Sequence, residues 1–226
     1  MFTARSTRIL GFLLVISWGM VGISHARIIT SYQFDFVLPI HVDTPFPNND
    51  NAILNNPNKV KLPNLSYMAI EPFDIVFTVQ PSSGTTEYFF SEMVTNTTGI
   101  AWVGYNFELG FGVGDNFNRF DEIPHPISIS LPDFDTPHRD PTPTSSVFST
   151  LSTHERIDIQ WSGGIVPPGE TMDFTFSIDT PDDWADHDIY SGFTLRQTPE
   201  PIPAPPALIL GGLGTSLTLM LKRRIL

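Results

Sequence analysis

The 226-residue chain contains no cysteine. That absence excludes a disulfide framework, a cysteine nucleophile, a thiolate zinc site and a lipidated cysteine. A domain without such staples is held by its core alone and needs enough chain to build one. Positive charge is also scarce: 12 Lys and Arg stand against 24 Asp and Glu, for a net charge of −12. Five of those bases lie in the two ends, where Glu200 is the only acid. The body between them carries 7 bases against 23 acids, a net −16. Nucleic-acid phosphates and anionic lipid repel such a body, which argues against a nucleic-acid partner. The body also shows no internal repeat and no convincing helical period.

Catalytic motifs are missing as well. His154-Glu155-Arg156-Ile157-Asp158 starts like a zinc-protease helix but has Asp where the second His is needed, and it leads into a strand pattern. Gly110-Phe111-Gly112-Val113-Gly114 is followed by Asp115 and no helix, unlike a dinucleotide loop. No G-x-S-x-G elbow occurs. A carboxylate pair for glycoside hydrolysis is defined by separation in space, so 23 body acids neither support nor exclude one.

What is present begins at the ends. Arg5 and Arg8 precede the uncharged, largely apolar run Ile9 to Ile23, and Ser24-His25-Ala26 supplies small residues for a cut after Ala26. This predicts a secretory signal peptide over residues 1–26. At the far end, Pro199-Glu200-Pro201 and further prolines form a linker over 197–206. An uncharged run from Ala204 to Leu221 comes next, and then Lys222-Arg223-Arg224. Eighteen residues make about 27 Å of helix at 1.5 Å per residue, close to the ~30 Å of a hydrocarbon core. A transmembrane helix with a basic tail is expected over 207–226, its basic end cytoplasmic and the body outside, as the signal peptide also requires.

The body, 27–196, alternates with period two. Tyr32, Phe34, Phe36 and Leu38 share a face; so do Phe73, Ile75, Phe77 and Val79. The longest run puts Val103, Tyr105, Phe107, Leu109, Phe111 and Val113 on one face, with Gly104, Gly110 and Gly112 opposite. Those glycines predict a bulge or a close backbone approach on the outer face. Further strands are expected over Thr86 to Val94, at Ile127 to Leu131, Ile157 to Trp161 and Met172 to Ile178, and at Phe193 and Leu195. Turn sequences such as Pro167-Pro168-Gly169 separate the runs. The pattern predicts an all-β fold, a single antiparallel sandwich of immunoglobulin-like or jelly-roll-like type. Val42 to Pro63 and Pro132 to Ser146 read as long loops. Trp161 and Tyr105 fall in the apolar register and are expected in the core.

The densest polar feature is Asp182-Asp183-Trp184-Ala185-Asp186-His187-Asp188. Asp182, Asp183, Asp186 and Asp188 form either a solvated acidic loop or a calcium site, since calcium takes 6–8 oxygens. Asp133, Asp135 and Asp140 are a second such group. Trp184 lies in this polar loop and is the tryptophan suited to contact a ligand such as a sugar.

A proline-flanked acid, one uncharged helix and a basic cluster, in that order and behind a signal peptide, resemble the PEP-CTERM sorting signal. The resemblance covers about the last 28 residues and rests on Pro199, Glu200, Pro201, Lys222, Arg223 and Arg224. It implies recognition by an exosortase-type membrane transpeptidase, transient inner-membrane anchorage, and delivery to the cell surface or extracellular matrix. The body is similar, more loosely, to sandwich domains of such proteins through Thr95 to Trp102, Tyr105 to Gly112, Pro167 to Glu170 and Phe193 to Gln197. The expected function is a non-catalytic surface or matrix protein associated with exopolysaccharide or biofilm. The alternatives are a secreted carbohydrate-binding module, calcium-dependent or lectin-like, and a secreted glycosidase.

If the four carboxylates of 182–188 hold calcium, millimolar calcium raises the melting temperature and a chelator lowers it, because the ion binds the folded state. Equal melting in both conditions would leave the solvated loop.

Overall fold

Apolar side chains at every second position leave one face of a strand in need of cover, and two such faces cover each other. The computed structural model describes residues 27–34, 40–41, 58–81, 85–123, 130–134, 142–181 and 191–203. In chain order its strands are β1 (Arg27–Phe34), β2 (Ile40–His41), β3 (Asn58–Lys61), β4 (Leu65–Tyr67), β5 (Phe73–Pro81), β6 (Thr86–Asn96) and β7 (Trp102–Phe111). Then come β8 (Asn118–Arg119), β9 (Asp133–Phe134), β10 (Thr144–Ser145), β11 (Thr150–His154), β12 (Asp158–Ser162), β13 (Thr171–Thr180) and β14 (Gly192–Pro201). One sheet has the order β11-β12-β7-β14-β5-β1-β2, with β8 added to β7. The other has the order β10-β13-β6-β3, with β4 on β6 and β9 on β13. The all-β sandwich is therefore what the alternation required. Among the described residues no helix is long and apolar enough to cross a membrane, and the segments 1–26 and 207–226 lie outside them.

Aromatic rings join the two sheets. Phe107 of β7 meets Phe174 edge-on at 5.0 Å and Phe176 at 4.9 Å, both from β13 in the facing sheet. Phe77 of β5 packs edge-on against Phe90 of β6, which stacks on Phe176 at 5.3 Å. All of these rings are buried. Aromatic pairs in such arrangements add roughly 0.5–1.5 kcal/mol each beyond the area they bury.

The register of β7 agrees with the alternation for Tyr105, Phe107, Leu109 and Phe111, all buried, but not at its start. Glu200 pairs with Gly104 and Pro201 with Trp102, so Val103 is an extra residue in the ladder. Alternation changes phase across a bulge, and Trp102 rather than Val103 enters the core, fully buried. A second irregularity, between Ile29 and Ser31, brings Ile29 inward beside Tyr32 and extends β1 back to Arg27.

Pairing departs from purely antiparallel. β3 and β4 run parallel to β6. The chain leaves the second sheet after β4, runs back along the first as β5, and returns as β6, so β4 and β6 point the same way. Asn58 to Pro63, read as loop, contains β3, which buries Val60. Within 132–146, β9 carries the fully buried Phe134. Strands of two to four residues are too short for alternation to declare them. Leu131 packs against the core, whereas Ile127, Ile129, Phe36 and Leu38 lie outside the described residues.

Replacing Phe107 with Ala removes a ring wedged between two others and is expected to cost about 3–5 kcal/mol. Asn106→Ala, on the outer face, should cost far less. Chemical unfolding of both variants checks the register; equal small losses would contradict it.

Candidate functional site

β14 does not stop at Arg196. It continues to Pro201, so the motif Pro199-Glu200-Pro201 is the end of a sheet strand and not a free linker. Thr198, Pro199, Glu200 and Pro201 pair with β7, opposite Asn106, Tyr105, Gly104 and Trp102. Ile202 N–H then donates to Ala101 O at 2.9 Å. On the other side, the β5 ladder begins only at the Gln197–Phe73 pair. Since Ile202 N–H turns toward β7, alternation turns the nitrogens of Pro199 and Pro201 to the side without a strand. Proline has no N–H to offer a ladder, and here none is asked of it.

Glu200 lies across the outer face of the sheet. Gln160 Nε2 of β12 donates to its Oε1 at 2.7 Å. The space beneath comes from Gly104: a Cβ there would collide with the Glu200 carboxylate and with Trp161 O. This is one of the close approaches expected of the outer-face glycines; Gly110 beneath Asn118 O and Gly112 beneath Asn116 O are others.

Beneath the sheet sits a buried polar chain. Tyr105 Oη donates to Gln197 Oε1 at 2.7 Å, and Gln197 Nε2 donates to both Glu92 oxygens at 2.9 and 3.0 Å. With the Tyr105 proton so used, Tyr67 supplies the proton of the 2.9 Å contact between the two hydroxyls. Glu92 is 2% exposed and Gln197 and Tyr105 are fully buried. Burial pushes the Glu92 carboxyl up to about 8, against the opposing pull of the Gln197 hydrogen bonds. Burial likewise raises both tyrosines well above their ordinary value. A neutral carboxylic acid enclosed in this way ties β6, β7, β14 and β4 together. Glu92 shares the inward phase of Tyr88, Phe90 and Val94, and Gln197 that of Phe193 and Leu195. A polar residue in an apolar register was the signal that could have found both.

Several other carboxylates of the sheets are paired with arginines. Arg196 Nε and Nη2 grip the buried Asp74 at 2.7 and 2.8 Å, with Phe117 stacked 3.9 Å from the guanidinium carbon. Arg119 Nη1 reaches Glu108 at 2.9 Å and Asp158 at 3.7 Å. Asp133, of the second acidic group, accepts from Arg156 Nε at 2.6 Å.

Asp182, Asp183, Trp184, Asp186, Asp188, Asp135, Asp140, Ala26, Lys222, Arg223 and Arg224 lie outside the described residues. Among the described residues no group of three or more His, Asp or Glu is placed to hold a metal ion. Trp161 is core, 4% exposed, as its register required. An open depression of about 400 Å³ near the start of β14 is lined by Gln33, Thr78, Gly112, Gly192 and Thr194 among others, with no ionisable side chain among the described residues. The chain matches no protein-family model, no curated protein and no solved structure.

The Glu92 carboxyl holds its proton more tightly folded, near 8, than unfolded, near 4.5. The folded state binds more protons between those values, so this group's contribution to stability falls as pH rises through that window. Each unit is about 1.4 kcal/mol, a few kcal/mol in all. Glu92→Gln keeps a neutral polar group and should remove that share of the pH dependence, leaving the variant more stable than the parent at pH 9 relative to pH 5. Parallel stability–pH curves for parent and variant would contradict it.

Proposed function

We propose that the chain is a non-catalytic exported protein of the cell surface or extracellular matrix, sorted through a PEP-CTERM-like signal and held with extracellular polysaccharide. The observation that carries the reading is the order of segments: Pro199-Glu200-Pro201, the uncharged run to Leu221, and Lys222-Arg223-Arg224, behind a chain start built like a signal peptide. The run can satisfy its backbone groups in lipid only as a helix, and the basic residues are costly to draw through the membrane. Together they would hold the chain with the motif at the outer boundary, within reach of an exosortase-type transpeptidase. The ion pairs and the buried acid described above support a structural body, since these side chains hold strands together.

The position of the motif adds a condition. Glu200 is hydrogen-bonded and backed by the sheet, so a protease that takes an extended peptide must first lift Thr198 to Pro201 from β7. Pairing on one side only makes that end the easier part of β14 to lift.

Mass spectrometry of protein recovered from the cell surface or matrix is expected to show a mature form starting near Arg27 and ending near Glu200. Replacement of Glu200, or of all three basic residues, should leave unprocessed protein in the inner membrane. A matrix-located form still carrying Leu226 would refute the reading.

A further inference from the structure

Large apolar side chains left exposed among the described residues are few: Met68, Met93, Ile100, Ile165 and Ile202. Four of them gather at one end of the sandwich. Val166 and Trp102 exchange backbone hydrogen bonds of 2.9 and 3.0 Å, which sets Ile165 beside the start of β7. Ala101 O accepts from Ile202 N–H, which brings Ile202 to the same strand end as Ile100. Tyr67 O accepts from Thr97 N–H at 2.9 Å, placing Met68 at that end too. The loops 97–101 and 163–169 contain no charged residue, while Glu71 of the loop after β4, Glu170 and Glu200 stand at the same end. The opposite end carries Asp115, Arg119, Asp121, Glu122, Glu155 and Arg156.

We infer that the Met68–Ile100–Ile165–Ile202 end of the sandwich rests on the bilayer surface, with these side chains in the headgroup layer. The inference rests on the proposed reading of 207–221 as a membrane span. Its second support is the length of the tether. Ile202 is still held by β7, and only five peptide steps separate it from Ala207. Five residues reach at most about 17 Å, and a headgroup layer is roughly 5–8 Å thick. A spanning tail therefore holds this end of the domain against the membrane and leaves the opposite end pointing away. The chemistry agrees with the geometry. Exposed Ile and Met gain by leaving water for the interface, and unpaired apolar side chains clustered on an otherwise soluble surface mark a contact face.

The absence of cysteine makes the test direct. Single-cysteine variants Ile100→Cys, Ile165→Cys and Asp115→Cys of the full chain are labelled with a polarity-sensitive fluorophore. They are then reconstituted into phosphatidylcholine vesicles containing headgroup-level nitroxide lipid. Labels at 100 and 165 should shift to the blue and be quenched several-fold more than the label at 115. Equal quenching at both ends, in protein that co-floats with the vesicles, overturns the surface and leaves the membrane span standing. Failure to co-float overturns both. A blue shift without lipid quenching that grows with the protein-to-lipid ratio assigns the face to a second copy and overturns the inference.

Discussion

Two sheets without a disulfide stay together only if their inner faces lock, and aromatic rings supply the lock. Phe107 stands between Phe174 and Phe176, and Phe90 stacks on Phe176 while meeting Phe77. Most of these contacts join a strand of one sheet to a strand of the other. The long ladders β6–β13 and β7–β14 hold each sheet in the shape that lets the rings interleave. Everything at the periphery, including the short strands β3, β4, β9 and β10, borrows its position from this layer.

One carboxyl group is admitted to that interior. Glu92 is kept neutral by burial and is bound through both oxygens by Gln197. Each of the side chains in the series Tyr67–Tyr105–Gln197–Glu92 finds a partner in the next. A buried network of this kind specifies register: a slip of one residue in β6 would turn Glu92 to the outer face and break its bonds to Gln197. The same strand, β14, carries Arg196 to Asp74 on one face and Gln197 to Glu92 on the other. It is the strand on which both polar anchors depend, and its last residues are the proposed sorting motif. The folded core and the proposed export route thus share one element, which ends at the pole that carries Ile100, Ile165 and Ile202.

The inner and outer faces of the long strands were legible before any coordinates: Tyr32 and Phe34, Phe77 and Val79, Tyr105 to Phe111, Met172 to Ile178 all lie as their alternation requires. So were the turn at Pro167-Pro168-Gly169 and the all-β class. Glu92 was legible in principle as an acid in an inward phase. The glycines opposite that run allowed for a bulge, but its place at Val103 was set by the partner strand: Trp102 turns inward where β14 closes over Gly104. The strands β3, β4, β9 and β10 were hidden because two to four residues show no period.

By itself the sequence determined the division of each long strand into a buried and a solvated face, and the order of charged and uncharged segments at the two ends. Both are local properties, read within a window of a few residues. Tertiary structure alone decided the neighbours. It placed β14 between β5 and β7, set β3 and β4 parallel on β6, joined Gln197 to Glu92 across 105 positions of chain, and laid Glu200 over Gly104 against Gln160. Backbone hydrogen bonds of a strand are the same for every partner, so a strand's own residues do not name its neighbour. The choice falls to how rings from distant segments fill one space.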